Sequence, residues 1–227
     1  MLLDPDTESD VAYELCQLVG RAILPFRAGD ALGTAFFCTV GDGEYLLTAE
    51  ALTRAPVGEI GLRPSVAEPA DVAGASLTLP DFAGRWSRAP ELGAAIMPTP
   101  GLHELAGSAG WRWRTQQVPE PIAADAAAIT GIGAEPGSAI VLALGVGDAG
   151  ARPLEVAIER YAREGDAVRI PVELPDGYAG APVFGVLAVG DGAVGLRCLG
   201  LVLPAARGGH PLATFDQIRA AVAGLAG

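Results

Sequence analysis

Apolar residues recur along this chain at two periods, and the change from one to the other organises it. Val11, Leu15, Leu18, Val19 and Ala22 fall three or four residues apart behind Thr7 and Asp10, which read as a capping box. This spacing predicts a short amphipathic helix over 1–20 that packs its stripe on the body of the protein; the alternative is a docking helix for a partner. From Arg21 the period shortens to that of strands separated by glycine turns. Strands are predicted at 22–26, 33–40, 45–49, 59–63, 76–79 and 92–97, with a hairpin around Gly41-Asp42-Gly43.

Between Pro98 and Pro121 prolines and glycines interrupt every pattern, so the segment reads as an irregular linker between two halves. It contains Trp111-Arg112-Trp113-Arg114, which could stack on a ligand; the plainer reading is linker aromatics packed across the two halves. Strands resume at 126–132, 138–144, 154–161, 167–172, 182–189 and 195–203, with Gly-Asp, Glu-Pro-Gly and Gly-Asp-Gly turns between them. So many strands without intervening helices predict an all-β barrel or sandwich architecture. Thr214 and Gln217 then cap a closing helix whose Ile218, Ala221, Val222 and Leu225 share one face.

Composition narrows the function classes. The chain has 227 residues, half of them hydrophobic, enough for a substantial core. Its net charge of -12 is dispersed and no basic cluster offers phosphate neutralisation, which argues against nucleic acid as a partner. Lysine and asparagine are absent, so Schiff-base chemistry and a Walker-type lysine are excluded, and the Ala, Gly, Pro and Arg bias suggests a GC-rich bacterial genome. Three cysteines, Cys16, Cys38 and Cys198, cannot all pair, and two sit in apolar runs; a reducing compartment fits. With no signal-like N-terminus and no apolar run of about 18 residues, a cytoplasmic protein that does not enter a membrane is expected. The cysteines and the two histidines lack metal-ligand spacing, and Gly131-Ile132-Gly133 lacks a third glycine for a dinucleotide, so no metal and no cofactor is expected.

Three segments, in order, carry a family resemblance. Gly33-Thr34-Ala35-Phe36-Phe37 followed by Leu46-Leu47-Thr48-Ala49-Glu50-Ala51-Leu52 resembles the Gly-Thr-Gly-Phe and Leu-Leu-Thr-Ala-Ala-His-Val of trypsin-like (chymotrypsin-fold) serine proteases. Glu91-Leu92-Gly93-Ala94-Ala95-Ile96 resembles their Asp-Leu-Ala-Val-Leu. Asp176-Gly177-Tyr178-Ala179-Gly180-Ala181-Pro182-Val183-Phe184 resembles the Gly-x-Ser-Gly-Ser-Pro-Val-Phe of bacterial members. The resemblance covers about 23–225. It implies two six-stranded antiparallel β-barrels: 21–105 as the first barrel, 106–121 as linker, 122–212 as the second barrel and 213–227 as a C-terminal helix. Further support comes from Leu199 to Leu203, which looks like the strand bordering a bound peptide.

On that match the histidine position of the triad is Ala51, the aspartate position Glu91 and the serine position Ala179. Such chemistry needs a hydroxyl to attack, an imidazole to take its proton and a carboxylate to fix the imidazole. Alanine at two positions removes nucleophile and base together. His103 and His210 follow Glu91, whereas the family's base precedes its acid; both read as surface or linker residues. Glu50 and Tyr178 adjoin the lost groups, but neighbours on a strand or turn point in different directions. The family's oxyanion-hole donors would be the amides of Gly177 and Ala179, which survive loss of the side chains. Its specificity-pocket residue would be Glu173, favouring Arg or Lys if the loop keeps the family's geometry, or else a solvated loop carboxylate.

The resemblance therefore implies a catalytically inactive pseudoprotease that binds a protein or peptide or serves as a scaffold. The alternative is an active bacterial serine endopeptidase whose histidine and serine were replaced by alanine at 51 and 179. A third reading, by analogy alone, is a non-catalytic module of a bacterial defence or signalling operon.

Overall fold

Residues 1–144, 153–188 and 194–225 are described in the computed structural model. The first half contains β1 (Ile23–Ala28), β2 (Ala31–Val40), β3 (Gly43–Ala49), β4 (Gly58–Gly61), β5 (Ala67–Glu68), β6 (Ser76–Leu79), β7 (Ser87–Ala89) and β8 (Ala94–Pro98). Seven of these form one antiparallel sheet in the order β6-β4-β1-β2-β3-β8-β7, while β5 pairs with β9 (Arg112–Trp113). The second half contains β10 (Gly137–Leu144), β11 (Leu154–Glu164), β12 (Ala167–Ile170), β13 (Pro182–Ala188), β14 (Val194–Val202) and β15 (His210–Thr214). These close into a six-stranded barrel in the order β10-β11-β12-β15-β14-β13. The expected pair of β-barrels is thus present, with one difference. The first is a seven-stranded half-barrel whose edge strands β6 and β7, only four and three residues long, leave it open.

Burial explains why the strands around the seam read as continuous apolar runs. In β10 all eight residues are buried. Ala139, Val141 and Ala143 fill the second barrel, while Ile140, Leu142 and Leu144 belong to the core shared with the first half. A strand buried on both faces loses its polar alternation. In β2 every residue from Gly33 to Cys38 is likewise buried, and β1 and β2 lie against β10. One core therefore runs through both halves and fixes the cleft between them.

The helices depart from the sequence-based expectation in instructive ways. The first, α1, spans Pro5–Val19. Its cap is Asp4, whose Oδ1 accepts the amide of Thr7 at 3.0 Å, with proline in the first turn. Asp-Pro is a stronger start than the Thr7 box, because proline at the first helical position loses no hydrogen bond. The helix is fastened to the second barrel: the buried Glu8 carboxylate accepts from the Ser138 hydroxyl and from Arg160 at 2.7 Å.

The expected linker is not irregular throughout. After α2 (Ala70–Ala73), α3 occupies Pro100–Ser108, burying Leu102 and Ala106 one turn apart. The Trp-Arg-Trp-Arg segment packs on the first half: Trp113 meets Phe37 at 5.4 Å and donates its indole N–H to Leu102, while Arg112 and Arg114 pair with Glu68. The strand expected at 126–132 is instead helix α4 (Ala126–Thr130), capped by Asp125, which accepts from the Ala128 amide at 2.8 Å. An alanine run behind a capping aspartate favours helix over strand.

The closing helix α5 (Phe215–Leu225) buries Phe215, Ile218 and Val222; of the face read from the sequence, Ala221 is half-buried and Leu225 is exposed. The turns at Gly147-Asp148 and Gly190-Asp191-Gly192, and Val189 at the end of a predicted strand, lie outside the described residues. Among the described residues no helix is long and apolar enough to cross a membrane.

Candidate functional site

Strand β3 ends at Ala49 and runs into a short turn, Glu50–Thr53, that carries Ala51 at the surface. From the second barrel comes the elbow formed by 176–180, which lies between β12 and β13. Two threonines bring these segments together. Thr34 donates its amide to the Ala179 carbonyl at 2.9 Å and its hydroxyl to the Gly177 carbonyl at 2.8 Å. The Thr34 carbonyl in turn accepts the Thr48 hydroxyl at 2.8 Å.

Gly180 makes this approach possible. Its φ is +85°, a conformation that L side chains rarely adopt. A methyl there would overlap the Thr34 carbonyl and crowd the Thr48 hydroxyl at 2.5 Å. The elbow also reaches β14, since Gly180 donates to the Val202 carbonyl at 2.8 Å.

The three sequence-predicted corners are placed as follows. Ala179 lies on the elbow and Ala51, exposed, on the Glu50–Thr53 turn; each contributes a methyl group. Glu91 lies in the turn before β8, its side chain exposed, and makes no hydrogen bond or ion pair among the described residues. What reaches the Ala51 turn from that side is Gly93, whose carbonyl accepts the Glu50 amide at 2.7 Å. With φ +74° and a position against Leu203 of the opposite barrel, Gly93 presents backbone, not a carboxylate, to the Ala51 turn.

Neighbouring groups are committed elsewhere. The buried Glu50 carboxylate is clamped by Arg54, with Nε to Oε1 at 2.9 Å and an outer nitrogen to Oε2 at 2.8 Å. Tyr178 is buried, and burial first, then the nearby carboxylates of Glu155 and Glu159, push its phenol up to about 12, so it stays protonated at neutral pH. His103 is the exposed residue it was expected to be, on α3 against Glu44 at 2.7 Å.

His210 is not a surface or linker residue. It is 5 % exposed, at the start of β15, and its ring is used on both sides. Nε2 accepts the Leu174 amide at 3.0 Å, so the ring proton sits on Nδ1, which donates to the Leu203 carbonyl at 2.9 Å. A ring held in this way cannot collect a proton from a hydroxyl at 179 without giving up the Leu174 bond.

Beside the elbow lies a cleft of about 490 Å³, lined by Asp30, Leu32, Glu173, Asp176, Pro204 and His210 together with the backbone of Gly177 and Ala179. Glu173 therefore does border the pocket, as an exposed side chain, alongside Asp30 and Asp176, which sequence reasoning missed. Along the elbow the amides alternate in their use. Those of Tyr178, Gly180 and Ala181 donate to Pro175, Val202 and Tyr178, whereas those of Gly177 and Ala179 find no acceptor among the described residues. Unpaired amides at a buried turn are uncommon, and both residues line the cleft. Among the described residues no group of three or more His, Cys, Asp or Glu side chains could hold a metal ion.

No protein-family model and no curated protein sequence matches this chain. Among solved structures it is similar to the serine protease of a human pathogenic astrovirus, at 15 % identity and TM-score 0.50, over 86 % of this chain and 89 % of that one. It is also similar to the HtrA-type protease AlgW with a tripeptide, at 16 % identity and TM-score 0.52, over 94 % of this chain and 62 % of that one. At these identities the likeness is one of fold: the chain has the double-β-barrel architecture of trypsin-like serine proteases.

Proposed function

We propose that this chain is a pseudoprotease that holds a protein or peptide segment in the cleft between its two barrels without cleaving it. One observation carries the reading: the elbow keeps two unpaired amides over an open cleft, while the positions of nucleophile and base are methyl groups. Binding apparatus and reacting groups have been separated. The acid corner supports the same reading, because the group that approaches the Ala51 turn is the Gly93 carbonyl, and a carbonyl cannot stabilise an imidazolium as a carboxylate does.

That arrangement counts against the alternative of an active endopeptidase lacking only its histidine and serine. Asp30, Glu173 and Asp176 favour a ligand with a basic side chain. Three unpaired cysteines, two of them fully buried, suit a reducing bacterial cytoplasm. Incubation with arginine-containing peptides, read by fluorescence anisotropy and by mass spectrometry of the same samples, tests the proposal. Retained, intact peptide is expected. Cleavage that depends on this chain, or absence of binding to any peptide, would refute it.

A further inference from the structure

One strand of the second barrel is only partly paired on its outer side. Strand β11 meets β10 from Leu154 to Tyr161, but β12 covers it only from Ala162 to Glu164. The register explains the stop. Ala162 lies opposite Arg169, so the next ladder position sets Arg160 opposite Pro171, which has no amide hydrogen to give. Backbone groups along an antiparallel strand point to alternate sides. The Arg163 amide goes to the Gly133 carbonyl, just before β10. Glu155, Ala157 and Glu159 therefore direct theirs to β10, while Leu154, Val156, Ile158 and Arg160 aim theirs away from it. Among the described residues nothing bonds to those outward groups. An open edge roughly 20 Å long results, whereas the edge strands of the first half, β6 and β7, are four and three residues long.

The side chains of β11 sort by face. Leu154 and Ile158 pack against the shared core with Val156, 38 % exposed, between them, and Arg160 in the same row is held by Glu8. The other row carries Glu155, Ala157 and Glu159. Both carboxylates are half-buried near the Tyr178 phenol. The ion pairs of this strand are made by Arg160 and Glu164 instead.

We propose that this edge docks an extended segment of a partner protein as an added antiparallel strand, one in which arginine or lysine alternates with β-branched apolar residues. Main-chain groups of Leu154, Val156, Ile158 and Arg160 supply the ladder, and the two side-chain rows set the sequence that is read. Apolar residues pair with Val156 and Ile158, and basic ones fall opposite Glu155 and Glu159. The same carboxylates argue against a second copy as the occupant. In the antiparallel register that pairs the whole edge with itself, Glu155 meets Glu159 of the second copy, and like charges directly opposite each other repel. The excess of acidic over basic residues in the chain, 27 against 15, favours the same basic partner. None of these β11 residues lines the cleft beside the elbow, so the docking does not depend on what the cleft holds.

The test uses the whole chain and a labelled, end-blocked peptide of alternating valine and arginine, read by fluorescence anisotropy. One derivative is N-methylated at the valines, whose amides face β11 in this register, and another at the arginines, whose amides face away. The arginine-methylated peptide is expected to bind within about three-fold of the parent and the valine-methylated one about ten-fold or more weakly. Equal affinity of the two derivatives, or no binding of the parent, would overturn the docking. Val156→Pro removes an outward amide and no bond to β10, a place where proline is tolerated. It is expected to weaken the parent about ten-fold with the circular dichroism spectrum unchanged; undiminished binding would overturn the choice of edge. Glu155→Gln together with Glu159→Gln is expected to weaken the parent at least about three-fold, and no change would overturn the assignment of a basic partner.

Discussion

Replacing Gly180 by alanine tests how the elbow is held. The added methyl has no room: it overlaps the Thr34 carbonyl, lies 2.5 Å from the Thr48 hydroxyl and 3.1 Å from the Ala49 amide, and two of those three are backbone atoms of strands buried in the seam. It must also be accommodated at φ +85°. The left-handed conformation costs an L residue about 1–2 kcal/mol, and forcing a methyl into packed surroundings adds about 1–3 kcal/mol. The expected loss is therefore about 2–5 kcal/mol.

Gly41 supplies the control. Its φ is +57°, yet a methyl there meets nothing within 4 Å, so Gly41→Ala carries the conformational cost without the clash, about 1 kcal/mol. Urea denaturation followed by circular dichroism measures both variants. A loss for Gly180→Ala about 1–3 kcal/mol greater than for Gly41→Ala is expected, equivalent to a further fall of roughly 2–12 °C in Tm for a chain of this size. Equal losses would refute the claim that the elbow is seated against Thr34 and Thr48.

Two other perturbations follow from the same contacts. His210→Ala strands the Leu174 amide and the Leu203 carbonyl in the cleft floor and is expected to cost about 2–4 kcal/mol by urea denaturation; a loss under about 0.5 kcal/mol would show that the ring is not bridging them. Burial alone would raise the Glu44 carboxyl, but hydrogen bonds from Thr99, His103 and Gln117 outweigh it and hold it below its ordinary 4.5. Because the folded pKa is the lower one, this contribution is full above the unfolded value and is lost as pH falls through the folded value. The stability difference between the native chain and Glu44→Gln should accordingly be largest near neutrality and shrink below about pH 4.5; a difference independent of pH would contradict it.

What could be read from the sequence, and what could not, divides along physical lines. Strands such as β2 and β10 were legible because burial on both faces leaves a continuous apolar run bounded by glycine, and β-barrel architecture follows from their number. The three helices that were missed, α2, α3 and α4, are four, nine and five residues long, too short for a periodic stripe, and the start signals of the last two were Pro100 and the cap at Asp125. The open edge of the first unit was not legible, because strand lengths near 59–63 and 76–79 say nothing about whether the edges meet.

At the site, the elbow was legible from its glycines, and Glu173 does reach the cleft. The acid corner is harder, since Glu91 and Gly93 are two residues apart on a turn, and only the bond from Glu50 to Gly93 tells which one approaches Ala51. His210 carried no signal: a lone histidine behind two glycines reads as a loop until its two backbone partners are placed.

The central claim is that the site has been emptied at all three corners, not merely at two. Restoring Ala51→His and Ala179→Ser together, and measuring hydrolysis of arginine peptides over pH 6–9, tests it most directly. Without a carboxylate to fix the imidazole, a trypsin-like site loses about 10⁴-fold in kcat. The double substitution is therefore expected to stay about 10⁴-fold below the turnover of an ordinary serine protease. Turnover at the level of an ordinary serine protease, about 1 s⁻¹ or more, would contradict the account and establish a complete triad with Glu91 as its acid.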